Sequence, residues 1–119
     1  MKTIVRMLSV VMFMVVFMAA GTAQTKNLLT TEVKVYGNCG MCKKTIEKAG
    51  NIKGVATTTW NVKTDMATIT IDTTKTSVDE VLKRIAAVGY DSDKYRAPDS
   101  VYNKLHGCCQ YDRPAKGVN

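Results

Sequence analysis

Histidine and proline are nearly absent from this chain, which has one histidine, His106, and two prolines, Pro98 and Pro114. A single imidazole, with no serine or carboxylate set spaced to partner it, leaves no hydrolytic constellation, so no enzyme activity is expected. Neither proline is placed like the cis-proline that faces the active cysteines of a thioredoxin fold. No uninterrupted run of basic residues follows the N-terminal segment, which removes the usual electrostatic footprint of a nucleic-acid binder. Internal repeats and low-complexity tracts are missing too, in keeping with one domain around one core. The longest apolar stretch, Met7 to Ala20, falls short of the about 20 residues that span a bilayer.

That stretch has another use. It follows Lys2 and Arg6 and ends in Gly21-Thr22-Ala23, the layout of a secretory signal peptide over residues 1–23. Gly21 and Ala23 supply the small −3 and −1 residues, placing cleavage between Ala23 and Gln24. No cysteine lies nearby to carry a lipid, so the expected product is a free exported protein. The whole chain carries a formal charge of +7, and two of those positive charges leave with the leader. The diffuse surplus that remains is a solvated surface or an aid to docking on an acidic partner.

Four cysteines in an exported chain ordinarily suggest a disulfide framework. Here Cys39 and Cys42 are three positions apart, and Cys108 and Cys109 are adjacent. Disulfides within either pair would close tiny loops and constrain the unfolded chain little. Pairing between the two clusters would tie the tail to the domain. The sulfurs are placed for chemistry rather than for bracing.

Residues 24–30 form a polar lead-in. From Thr31 to Gly37, Val33 and Val35 alternate onto one face, as in a half-buried strand. A loop from Gly37 to Met41 holds Cys39, and a helix begins at Cys42, with Ile46 and Ala49 on one side and Gly50 near its end. A second strand opens at Gly54-Val55, with Trp60 and Val62 sharing a face and Trp60 assigned to the core. Thr64-Asp65 turns the chain into a third strand bearing Ala67, Ile69 and Ile71. Ser77 and Glu80 make a capping box for a helix with Val78, Val81, Leu82, Ile85 and Val88 inward, ended by Gly89. A fourth, edge strand fits Tyr90 to Ala97. The order βαββαβ over residues 31–97 predicts a ferredoxin-like α+β sandwich, a four-stranded antiparallel sheet with two helices on one face. Residues 98–119 lack periodicity and read as a linker or appended loop.

These residues resemble the heavy-metal-associated domain family, which includes small copper chaperones, periplasmic mercury-binding proteins and the N-terminal modules of copper-pumping P-type ATPases. The resemblance is carried by Val33 to Gly37, by Cys39-Gly-Met-Cys42 running into Lys43 to Glu47, and by Gly54-Val55. Met66 to Asp72 and Val88-Gly89-Tyr90 complete it. It implies a periplasmic metal carrier whose ligands are Cys39 and Cys42, with Met41 packed inward beneath the loop and Tyr90 shielding the site. The implied partners are a metal-transporting P-type ATPase or another membrane metal transporter, with the chain as a monomer or a metal-bridged dimer. One departure stands out: the family places a methionine and a threonine before its first cysteine, where this chain has Gly37-Asn38.

The chemistry suits such a role. Thiolates are soft donors that select Cu(I), the leading candidate, or Hg(II), and reject calcium and magnesium. The amides and positive dipole end of the following helix favour an ionised thiol. Lys43 and Lys44 either add to that field or solubilise an exposed face. The tail motif His106-Gly-Cys-Cys109 is read as a second metal site, as a flap completing the first, or as an inert exposed tail. Cys39 and Cys42 joined by two of His106, Cys108 and Cys109 would make a closed Zn(II) site and a metal-sequestering protein. The competing function is a thiol-disulfide oxidoreductase working through Cys39 and Cys42.

Overall fold

Buried side chains alternate with more exposed ones along two of the strands, residues 56–60 and 66–72, and that alternation gives the sheet its inward face. The computed structural model describes residues 27–116; the expected signal peptide lies outside the described residues. In chain order the elements are β1 (Leu28–Lys34), α1 (Gly40–Gly50), β2 (Ala56–Trp60), β3 (Met66–Asp72), α2 (Val78–Ala87) and α3 (Asp99–Tyr102). A 3-10 turn at Gly107–Cys109 follows. β1 begins at Leu28, so the expected lead-in contributes its last residues to the sheet.

The strand order is β1-β3-β2, with both pairings antiparallel. Ala56, Thr58 and Trp60 of β2 and Ala67, Ile69 and Ile71 of β3 point inward, where period-2 geometry puts them on one face. Thr57 and Thr59 take the opposite, exposed face. The β2–β3 connection turns on Asn61, whose Oδ1 accepts from the amides of Lys63 and Thr64, and on Asp65 at φ 59°. Val62, expected to face inward beside Trp60, lies in this connection and is exposed.

Both helices cover the inward face. α1 buries Cys42, Ile46 and Gly50, a spacing of four residues or about one turn, while α2 buries Val81, Leu82, Ile85 and Ala86. Of the expected capping box of α2, the Ser77 half is present, with Ser77 Oγ accepting from the Glu80 amide at 3.2 Å, while the Glu80 carboxylate pairs with Lys83. Trp60 is fully buried, and its Nε1 donates to the Val35 carbonyl at 2.8 Å. The result is a ferredoxin-like α+β fold with two helices on a three-stranded antiparallel sheet.

The expected fourth strand is replaced by a single antiparallel bridge, Val35 to Ser92. Side chains here capture the amides that a ladder would use. Ser92 Oγ accepts from the Lys94 and Tyr95 amides, and Asp91 Oδ1 accepts from the Ala97 amide at 2.6 Å. Such local side-chain bonding curls the backbone away from an extended path.

The tail beyond Pro98 does not trail away as a linker. Tyr111 is 2% exposed, and its hydroxyl donates to the Gly89 carbonyl at 2.7 Å while accepting from the Asp91 amide at 2.8 Å. It stacks on Tyr90 and meets Tyr102 edge-on, with ring centroids 5.7 and 5.1 Å away. Leu105 lies so close over Gly89 that a Cβ there would come within 3.2 Å of its side chain; Gly89 also has φ 109°, which glycine alone adopts readily. Arg113 completes the anchorage. Its Nε and Nη2 donate to the two carboxylate oxygens of fully buried Asp91, each at 2.8 Å, and its Nη1 donates to Asp99 at 2.7 Å. Its guanidinium also lies over the Tyr102 ring.

Candidate metal centre

The segment joining β1 to α1 delivers two thiols to one helix end. Cys39 is the residue before α1, in extended conformation, and its carbonyl accepts the first helical bond from the Lys43 amide. Cys42 lies within the first turn and is buried. The change from extended to helical backbone folds the two side chains toward each other, with Sγ atoms 3.7 Å apart. Cys42 Sγ also accepts from the Asn38 amide at 3.5 Å. Gly37 makes the approach possible, because a Cβ there would come within 2.9 Å of the Trp60 ring. Trp60 is therefore the floor beneath this loop.

The electrostatics of Cys39 follow from its position. Amide donors at Cys42 and Met41, the free N–H groups of the helix start, lower its thiol from 9.0 to about 7 against a smaller opposing effect of desolvation. Lys43 is engaged elsewhere, in an i,i+4 ion pair with Glu47 at 3.5 Å.

Met41 corrects an expectation. It does not pack inward beneath the loop: it is 50% exposed, and its Sδ lies 3.8 Å from Cys108 Sγ, which donates to it. The helix supplies the reason, since the inward positions of α1 are Cys42 and Ile46, and a residue one place before Cys42 is turned away by about 100°. Tyr90, by contrast, is buried, with the Cys42 and Cys109 thiols near its hydroxyl. Burial first, and those thiols second, raise its pKa far above the ordinary range.

The tail brings its own sulfurs to the same place. The Sγ atoms of Cys39, Cys108 and Cys109 all lie within 4.8 Å of one another. Cys108 and Cys109 are 3.8 Å apart. The Cys108 carbonyl accepts from Asn38 Nδ2 at 3.4 Å and from Cys39 Sγ at 3.7 Å. Cys109 is buried, which raises its thiol to about 12. His106 is exposed before the 3-10 turn and does not belong to this sulfur group. The sequence marks Asn38 only as a departure from the family pattern and gives Asp91, Tyr111 and Arg113 no role, although all four position the cluster. The available signal was composition: Tyr102, Leu105 and Tyr111 are too many large apolar groups for an unpacked tail.

Comparison with known proteins bears on this site. Residues 38–91 match the model of the heavy-metal-associated domain. A copper-exporting P-type ATPase of Staphylococcus saprophyticus subsp. saprophyticus is 42% identical over 65 residues, covering 53% of this chain. The chain spans only 8% of the length of that relative. Among solved structures, a CopZ metallochaperone is 30% identical, with 54% of this chain and 98% of that one aligned at a TM-score of 0.49. A candidate copper-ion-binding protein of Bacillus anthracis str. Ames is 23% identical at a TM-score of 0.51, with 57% and 99% aligned, a likeness of fold.

Proposed function

Since this chain carries a domain of the heavy-metal-associated family, we propose that it binds a soft metal ion, Cu(I) foremost, at Cys39 and Cys42 and passes it to another protein. The observation that carries this proposal is the thiol pair at the start of α1, 3.7 Å apart, with one member held near pKa 7 by helix amides. Two soft thiolates suit Cu(I) or Hg(II), and a donor set without oxygen does not suit hard cations. Taking about 2.3 Å for a thiolate–metal bond, as at zinc, opposed ligands would sit about 4.6 Å apart. From 3.7 Å the pair must open by about 0.9 Å, which partly exposed Cys39 can supply by swinging outward.

Copper is favoured over mercury by the relative that exports it. The same likeness suggests the partner, a membrane copper-transporting P-type ATPase or a comparable transporter whose own cysteines take over the ion by stepwise ligand exchange. The proposed location is outside the cytoplasmic membrane after removal of residues 1–23, a suggestion that rests on the leader pattern of the sequence alone. Among the described residues no helix is long and apolar enough to cross a membrane. Against thiol-disulfide exchange stands the sheet: thioredoxin-like motifs accompany parallel βαβ units, whereas both pairings here are antiparallel.

The test is anaerobic titration of the reduced protein with Cu(I) against a chelator of known affinity. One ion per chain is expected, with binding abolished in Cys39→Ser/Cys42→Ser. Undiminished binding by that double variant would falsify the proposal.

A further inference from the structure

Cys39 belongs to two sets of sulfurs. One is the pair with Cys42 on the same loop and helix start; the other is the triangle with Cys108 and Cys109, contributed by a segment about 70 positions away. Only the first belongs to the domain matched over residues 38–91.

We propose that the triangle is a closed, three-thiolate state of the metal site, in which Cys39, Cys108 and Cys109 hold a thiophilic ion and the pair Cys39–Cys42 is the open, exchange-ready state. This rests on the metal-binding proposal above and adds a second mode of holding the same cargo.

Geometry is the first support. Three thiolates around one ion, with bonds of about 2.3 Å, stand about 4.0 Å from one another. Cys108 and Cys109 already lie 3.8 Å apart, and all three sulfurs fall within a 4.8 Å limit. Small side-chain rotations suffice, and the backbone stays where it is. The second support is composition. The neighbouring donor is the thioether of Met41, 3.8 Å from Cys108, and His106 stands apart, so the site is sulfur throughout, a donor set that suits thiophilic ions and excludes hard cations.

The third support is the way the tail is held. The 3-10 turn that carries Cys108 and Cys109 is fastened on both sides of the cysteines. Ahead of them Leu105 packs on Gly89, and behind them Tyr111 and Arg113 are bound to Gly89 and Asp91. Between these anchors the Cys108 carbonyl takes hydrogen bonds from Asn38 and Cys39. The turn thus sits as a strap across the thiol loop, with both of its sulfurs within 4.8 Å of Cys39 Sγ. Each thiol that joins the ion releases its proton to solvent, and no electron is transferred. An ion leaves the closed state by exchanging the two tail thiolates for Cys42 or for a partner's thiolate, so the strap retards loss to solvent.

The experiment uses the full reduced chain loaded with one equivalent of Cu(I) under anaerobic conditions, with sulfur coordination counted by X-ray absorption and affinity measured by chelator competition. Wild type should show three sulfurs. Cys108→Ser, an exposed position that leaves the core intact, should show two, and Cys108→Ser/Cys109→Ser should bind about 10–100-fold more weakly, at least the cost of losing an outer-shell partner. Two sulfurs in wild type, or three that persist in both variants, would overturn the closed state while leaving the carrier proposal standing. Loss of all discrimination between wild type and Cys39→Ser/Cys42→Ser would instead remove the carrier proposal itself.

Discussion

The thiol loop before α1 and the C-terminal strap present the same functional group in opposite electrostatic states. At the loop, free helix amides pull Cys39 down to about 7; in the strap, burial pushes Cys109 up to about 12. A cysteine is therefore reactive or inert according to what its backbone neighbourhood donates and how much water reaches it. The two regions also differ in construction. The two thiols of the loop are set toward each other by backbone groups within a few positions, whereas the strap is held by more distant partners, such as Gly89 for Leu105 and Asp91 for Tyr111.

The largest expected effect is a direct comparison of the two thiols. In the metal-free protein at pH 7, Cys39 should alkylate about a hundredfold or more faster than Cys109, the lower basicity of its thiolate offsetting part of its larger ionised fraction. Peptide mapping by mass spectrometry after timed iodoacetamide exposure reads this, and the Cys39 rate should fall with a midpoint near pH 7. The signs for stability follow. Cys39, lowered from 9.0, stabilises the fold above about pH 9, and that contribution disappears as pH drops through about 7. Cys109, raised from 9.0, contributes below about pH 9 and ceases to do so as pH climbs through about 12. Equal alkylation rates for the two would dissolve the contrast.

Next in size is loss of the floor beneath the loop. Trp60→Ala should cost about 3–5 kcal/mol in urea unfolding, because a fully buried ring and its bond to the Val35 carbonyl are removed together. In the fraction that stays folded, the Cys39 alkylation midpoint should move upward as the loop relaxes. Arg113→Ala attacks the strap instead. It leaves the fully buried Asp91 carboxylate without its main counter-charge, at a cost of about 3 kcal/mol. Cys109 should become alkylatable while the Cys39 midpoint holds, and a Cys39 midpoint that moved just as far would mean the regions are not separable. The smallest effect should come from Ser77→Ala, which removes the α2 cap for about 1 kcal/mol and leaves both alkylation rates unchanged.

These two regions were unequally legible. The period-2 pattern of Ala67, Ile69 and Ile71, the i, i+3, i+4 pattern of α2 and the Ser77 cap all involve near neighbours, so the sequence displays them directly. The placement of Cys39 before a helix and Cys42 near its start belongs to the same class, although α1 begins at Gly40, two residues earlier than expected. The fourth strand failed for a reason visible only in three dimensions: Asp91 is occupied by Ala97 and Arg113, and Ser92 by Lys94 and Tyr95. Met41 was misplaced because its direction depends on the phase of α1, set by which helix face packs on β2 and α2.

For the tail, the sequence left a second site, a flap and an inert end all open. Its lack of periodicity carried no information about docking, since the anchors Leu105, Tyr111 and Arg113 each answer to a different distant residue. By itself, then, the sequence determined the order of the first five elements, β-α-β-β-α, most of the inward faces and the local pairing of Cys39 with Cys42, because backbone periodicity and helix-end chemistry act over a few residues. Only the tertiary structure decided that Cys108 and Cys109 meet Cys39, because that meeting depends on burial of Tyr111 and neutralisation of Asp91 by Arg113, and no short stretch of chain contains both sides of either contact.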